Sequence, residues 1–170
     1  MRDSREALRS GRFGSRGGSI VARYYPVSPL FWMDDKIGQL DDQGKILALY
    51  LLTCEHRNLE GLFRLPYAYI QADLAWDEAT VRDEMGRLID LGFIAYDEAA
   101  RVVFLPKALK YHEPKAPKQV QGAVNALQQV PDTVLWPLFQ EAAAAFAPTL
   151  STAIGTPLET PSERDTRTHA

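Results

Sequence analysis

Cysteine, histidine and unbroken apolar sequence are all scarce in this chain of 170 residues. Cys54 is the single cysteine. An internal disulfide is therefore excluded, which fits a reducing, cytoplasmic setting. No apolar run approaches the ~20 residues that span a bilayer. The opening stretch "MRDSREALRSGRFGSRGGS" is basic but lacks the apolar core of a secretory signal. No membrane partner is expected. Cys54 and His56 lie two apart, while His112 and His169 are remote, so zinc-ligand spacing fails. Cys54 sits in the most apolar segment, where a thiol is packing rather than a nucleophile, and His56 is placed to satisfy carbonyls at the end of that helix. "GRFGSRGG" is glycine-rich, yet no strand precedes it and no helix follows, so it is no phosphate loop. The pairs Asp34-Asp35 and Asp41-Asp42 read as helix caps before they read as a metal or acid–base pair. The expectation is a protein without cofactor or catalytic centre.

A basic excess is also missing. Formal net charge is -3, distributed unevenly. Residues 1–23 hold six arginines and two acids (+4), residues 24–150 hold 11 basic and 17 acidic residues (-6), and residues 151–170 hold two arginines and three acids (-1). Attraction to phosphate must come from local patches.

What is present is a readable order of elements. Residues 1–20, rich in Gly, Ser and Arg, are either a disordered basic arm able to follow a phosphate backbone or a mis-assigned start ahead of Val21. "YYPVSPLFWM" is broken by prolines and reads as an extended lead-in packing Phe31 and Trp32 onto a core. Asp34 or Asp35 then caps a short helix through Leu40, and Asp41 or Asp42 caps a second, nearly apolar and hence buried helix over 42–55. Leu62 to Leu65 is a short strand. Pro66 opens a helix running to about Trp76. Asp77 caps the next helix, whose apolar face is Val81, Met85, Leu88 and Ile89, and Gly92 ends it. "FIAYD" and "RVVFLP" form a hairpin. This order, helix, helix, strand, helix, helix, hairpin, predicts an α+β fold of the winged helix-turn-helix type over residues 21–112. Two further helical stripes predict a helical extension over 113–147. The Thr- and Pro-rich remainder, 148–170, reads as a disordered tail.

Two surfaces compete for a nucleic-acid role. With Val81 facing the core, the helix after Asp77 turns Asp83, Gly86 and Asp90 outward, with Arg87 beside them and Thr80 and Arg82 on the flanks. Base-reading helices usually offer Arg, Lys, Asn, Gln or Ser there. The rival reading is a solvated face on which Arg87 pairs with Asp83 or Asp90. The second surface is Arg101 at the wing with Lys107, Lys110, Lys115 and Lys118 behind it. Only Glu113 opposes these lysines, and Tyr111 and His112 are interleaved. Such a run suits a phosphate backbone or stacked single-stranded bases, or else is a solvated linker.

The stretches "ARYYPVSPLFWMDDKIGQL", "LYLLTCEHRNLEGLFRLPYAYIQADLAWDEATV" and "GFIAYDEAARVVFLPKALKYHEPKAPKQVQG" resemble the N-terminal part of phage replication-initiation (replisome organiser) proteins, over roughly residues 22–131. Its most specific pieces are Phe31-Trp32-x-Asp34, the run from Thr53 through His56, Asn58 and Gly61 to Leu65-Pro66, and Leu109-Lys110-Tyr111. The resemblance implies a winged-helix DNA-binding module at a phage or prophage replication origin, with DNA and the host replicative helicase or its loader as partners. Past residue 146 only a short stretch remains for a helicase-contacting region, so the resemblance supports DNA binding more than helicase loading. Two other functions fit the same elements. One is a winged-helix transcriptional regulator, dimeric through residues 119–146. The other is a protein–protein adaptor recruiting replication machinery without touching DNA.

Overall fold

The computed structural model describes residues 24–155. The proposed N-terminal arm and residues 156–170 of the proposed tail lie outside them. A 3-10 turn, Pro29–Met33, is followed by α1 (Asp35–Gly38), α2 (Asp42–Thr53), β1 (Leu62–Arg64), α3 (Tyr67–Leu74), α4 (Glu78–Asp90), β2 (Ala95–Asp97), β3 (Val102–Phe104), α5 (Ala108–Tyr111), α6 (Pro117–Leu127), α7 (Trp136–Phe146) and α8 (Pro148–Ile154). The fold is α+β: helices around one small antiparallel sheet of order β1-β3-β2.

Aspartates start the N-terminal helices. Asp34, Asp41 and Asp77 accept from the amides of Lys36 (2.9 Å), Gly44 (2.9 Å) and Thr80 (2.7 Å), each satisfying a donor the helix leaves unpaired. Ala75 adopts the left-handed conformation (φ 55°), so α3 ends at Leu74 rather than continuing to Trp76. Gly92 (φ 60°) lets the chain reverse after α4, and the amide of Phe93 returns to the Leu88 carbonyl at 2.9 Å. The loop into β1 is fastened by Asn58, whose Oδ1 accepts from the amides of Gly61 (2.8 Å) and Leu62 (3.2 Å).

Register places Leu62, Phe63 and Arg64 opposite Phe104, Val103 and Val102, and Ala95, Tyr96 and Asp97 opposite the same three residues from the other side. Side chains alternate between faces along a strand, and here both faces are buried. Phe63, Leu65, Val103 and Leu105 join the core made by Ile37, Leu47, Leu51, Ile70, Val81, Met85 and Leu88. Leu62, Val102 and Phe104 join a second core with Leu109, Val120, Leu127, Phe139, Ala143, Leu150 and Ile154. The sheet is thus the middle layer of three.

That middle position alters the expected boundaries. Residues 113–147 do not trail behind a finished unit; they supply one wall of the second core. The tail expected from Pro148 is corrected over 148–154. These residues form α8, with Leu150 fully buried and Ile154 nearly so, because the second core offers them an apolar slot. Trp32, expected in the core, is 62% exposed, since the 3-10 turn directs Phe31 inward instead. Ile46 and Ile89 are also exposed, each at the edge of its helix's apolar stripe.

Candidate functional site

The helix with the best claim to enter a DNA groove, α4, has its cations neutralised. Arg82 bonds Glu78 through Nε (2.9 Å) and Nη2 (2.7 Å), bonds Glu98 of the β2–β3 turn through Nη1 (2.9 Å), and lies over the Tyr67 ring. Tyr67 in turn donates to Glu98 at 3.0 Å. Arg87 bonds Asp41 at 2.6 Å and Glu84 at 3.0 Å. The expected pairing of Arg87 with Asp83 or Asp90 is therefore corrected. The N-cap of α2 stands closer to the guanidinium than either carboxylate on its own helix. The bonds they donate to Glu78 and Asp41 respectively are the main reason each guanidinium holds its proton more firmly than usual. Thr80 is engaged as well: its amide and hydroxyl both serve Asp77, and these bonds hold that carboxyl below the usual range. Of the exposed residues of α4, Ala79, Asp83, Ile89 and Asp90 enter no ion pair among the described residues.

Glu84 is buried against Gly44, where any Cβ would crowd both Glu84 and Leu40. One of its oxygens meets Arg87; the other has no hydrogen-bond partner. Burial, then the Asp41 charge, raises its pKa.

The second surface keeps more of its charge. Lys107 pairs with Asp34 (3.5 Å) and Lys115 with Glu113 (3.2 Å). Lys110 and Lys118 are exposed and enter no ion pair among the described residues. Tyr111, next to Lys110, is 62% exposed. Lys110 lies in α5, a helical turn within what the composition suggested was a linker, and Lys118 in the first turn of α6. Arg101 sits at the β2–β3 turn in the left-handed conformation (φ 55°), exposed and outside any ion pair among the described residues.

Sequence reasoning missed Arg64. It is the outward residue of β1, exposed and likewise unpaired among the described residues. The Arg101 carbonyl accepts the amide of Leu65 at 2.7 Å, which brings Arg64 and Arg101 to the same end of the sheet. The pattern "LFRLP", one charge inside an apolar run, was the available signal.

No group of three potential metal-ligating side chains stands together among the described residues. No helix among them is long and apolar enough to cross a membrane. Comparison with protein-family models, with curated proteins and with solved structures gives no match.

Proposed function

We propose that this chain is a non-enzymatic DNA-binding protein of winged-helix type that acts in the initiation of phage or prophage DNA replication, as its resemblance to replisome organisers implies. Support for the fold type comes from α3 and α4 meeting at the left-handed Ala75, followed by a hairpin to which β1 adds a third strand. Replication is the part of the reading that rests on the resemblance alone.

One observation carries the binding reading. Among the described residues, the exposed cations in no ion pair, Arg64, Arg101, Lys110 and Lys118, lie on the sheet end and on α5–α6, while those of α4 are paired. Contact is therefore assigned to phosphates through these four cations rather than to bases through α4. The test is duplex and single-stranded DNA binding across a salt series. Lys110 and Lys118 changed together to Ala should flatten the log–log salt slope by about two units on duplex. Absence of binding at low salt overturns the proposal.

The adaptor reading has its own observation, the exposed and unpaired Asp83 and Asp90 on α4, a face better suited to a basic protein than to DNA. For the regulator reading, α6 and α7 put Val120, Ala123, Leu127, Phe139 and Ala143 into the second core and leave Leu138 and Phe146 exposed for a dimer contact.

A further inference from the structure

An open cavity of about 660 Å³ lies on the side of the first core formed by the lead-in, α1, the turn after α4 and α5. That volume falls in the range of ligand-binding clefts. Its walls are apolar, including Val27, Phe31, Leu52, Phe93 and Leu105. Its charged lining is unbalanced: Lys36, Arg57 and Lys107 against Asp34 alone. Lys36 donates to the Gly92 carbonyl (2.8 Å) and Lys107 faces Asp34, so both ammonium groups are held at the cavity's edge.

Arg57 is the unusual member. It is only 2% exposed, yet forms no ion pair among the described residues. Its Nη1 donates to the Leu52 carbonyl (2.6 Å), Tyr25 stacks beneath it, and its Nε has no hydrogen-bond partner. The charge of Glu60, itself only 6% exposed, answers the guanidinium from within the fold. Burial lowers the Arg57 pKa against the opposing influence of Tyr25, Cys54 and Glu60, and a guanidinium keeps its charge. His112, also in the lining, has its pKa pushed down by burial and then by Arg57, and is neutral at pH 7.

Apolar surface continues past the rim. Leu30, Met33 and Tyr111 border the cavity and are 64%, 77% and 62% exposed. An occupant that stayed inside the cavity would leave that rim wet. An extended chain that anchors one apolar side chain in the cavity and lies across the rim covers both, as helix and strand ligands do in peptide grooves.

We infer that this cleft is a docking site for a partner protein's peptide segment in which an apolar anchor is flanked by carboxylates, the carboxylates answering Lys36 and Lys107 at its edge. Of the cations assigned to DNA, Lys110 adjoins the rim residue Tyr111, while Arg64, Arg101 and Lys118 lie outside the lining.

The test is a selection of random displayed peptides on the full chain, followed by fluorescence anisotropy with the enriched peptides. The expected pool carries Asp or Glu beside Leu, Phe or Met. Its members should bind Lys107→Glu and Met33→Glu about tenfold more weakly or less, and their lysine-for-acid counterparts should not bind. Both substitutions are at exposed positions, and an unchanged urea midpoint checks that each variant is folded. An enriched pool without acids, or one that binds both variants as tightly as the parent, overturns the inference. So does a selection that enriches nothing. Salt-series DNA binding measured on the same variants keeps the two proposals apart: a Met33→Glu variant that loses peptide should keep its DNA affinity.

Discussion

Asp97 makes four hydrogen bonds with two oxygens. Oδ1 accepts from the amides of Ala99 (3.0 Å) and Ala100 (3.1 Å), and Oδ2 from the Thr133 hydroxyl (2.6 Å) and the Val134 amide (3.1 Å). One side chain thereby shapes the β2–β3 turn and ties it to the segment before α7. Charge-assisted bonds of this kind, lost together and leaving donors stranded, put the cost of Asp97→Ala at about 3 kcal/mol. The Thr133 bond first, then the Ala100 bond, holds the Asp97 carboxyl below its ordinary range. Its stabilisation is therefore complete above about pH 4, the unfolded value, and fades as pH falls through the lower folded value. Urea titrations should show the parent losing stability on acidification below pH ~4 more steeply than Asp97→Ala, which lacks this contribution. Equal acid slopes would remove Asp97 from that role. Gly61 is a second single-residue test. With φ 78° and the Ala108 methyl in the space a side chain would take, Gly61→Ala combines left-handed strain with overlap. A loss of roughly 3 kcal/mol is expected in the same titration; a loss under ~1 kcal/mol would mean that the loop before β1 yields.

At the scale of the element, α4 separates a structural from a reading role. Arg82 and Arg87 link it to the β2–β3 turn and to the start of α2. Exposed pairs of this type contribute little, because water screens them and ordering both side chains costs entropy. Arg82→Ala with Arg87→Ala should lower stability modestly and leave duplex affinity within about twofold of the parent, since phosphate would have to displace existing carboxylates. A loss of tenfold or more, measured by anisotropy, would return base contact to α4. The same helix shows what sequence makes legible. Its cap at Asp77, its inward face of Val81, Met85 and Leu88 and its stop at Gly92 are local features, readable within one or two turns. The Arg87–Asp41 bond is not, because its partners lie 46 positions apart and helical spacing offers nearer carboxylates. α8 escaped for a related reason. "PTLSTAI" has weak helical propensity, and seven residues form a helix only because Leu150 and Ile154 find the second core. Of the candidate site, Arg101, Lys110 and Lys118 were legible as exposed cations, whereas the pairing of Lys107 with Asp34 and the burial of Arg57 depend on tertiary contacts no local pattern encodes.

At the scale of the whole molecule, the second core takes Leu62, Val102, Phe104 and Leu109 from the first two thirds of the described chain and the rest of its residues from α6, α7, α8 and the cap positions Leu135 and Ala147. Removing everything after residue 112 would lay those four side chains open, and the shortened chain should aggregate rather than persist as a soluble module. Supplying residues 113–155 as a separate polypeptide during expression should recover soluble material, because each fragment carries half of one apolar interface; recovery is read by size-exclusion chromatography of the co-expressed pair. A soluble, monomeric 24–112 fragment would contradict this.

A wall papered on both sides also makes neighbouring strand residues report on different rooms. Val103 faces α1 to α4 and Phe104 faces α6 to α8. Consecutive isotope labels in β3 would therefore tell, from one spectrum, which half of the molecule a bound DNA or peptide disturbs.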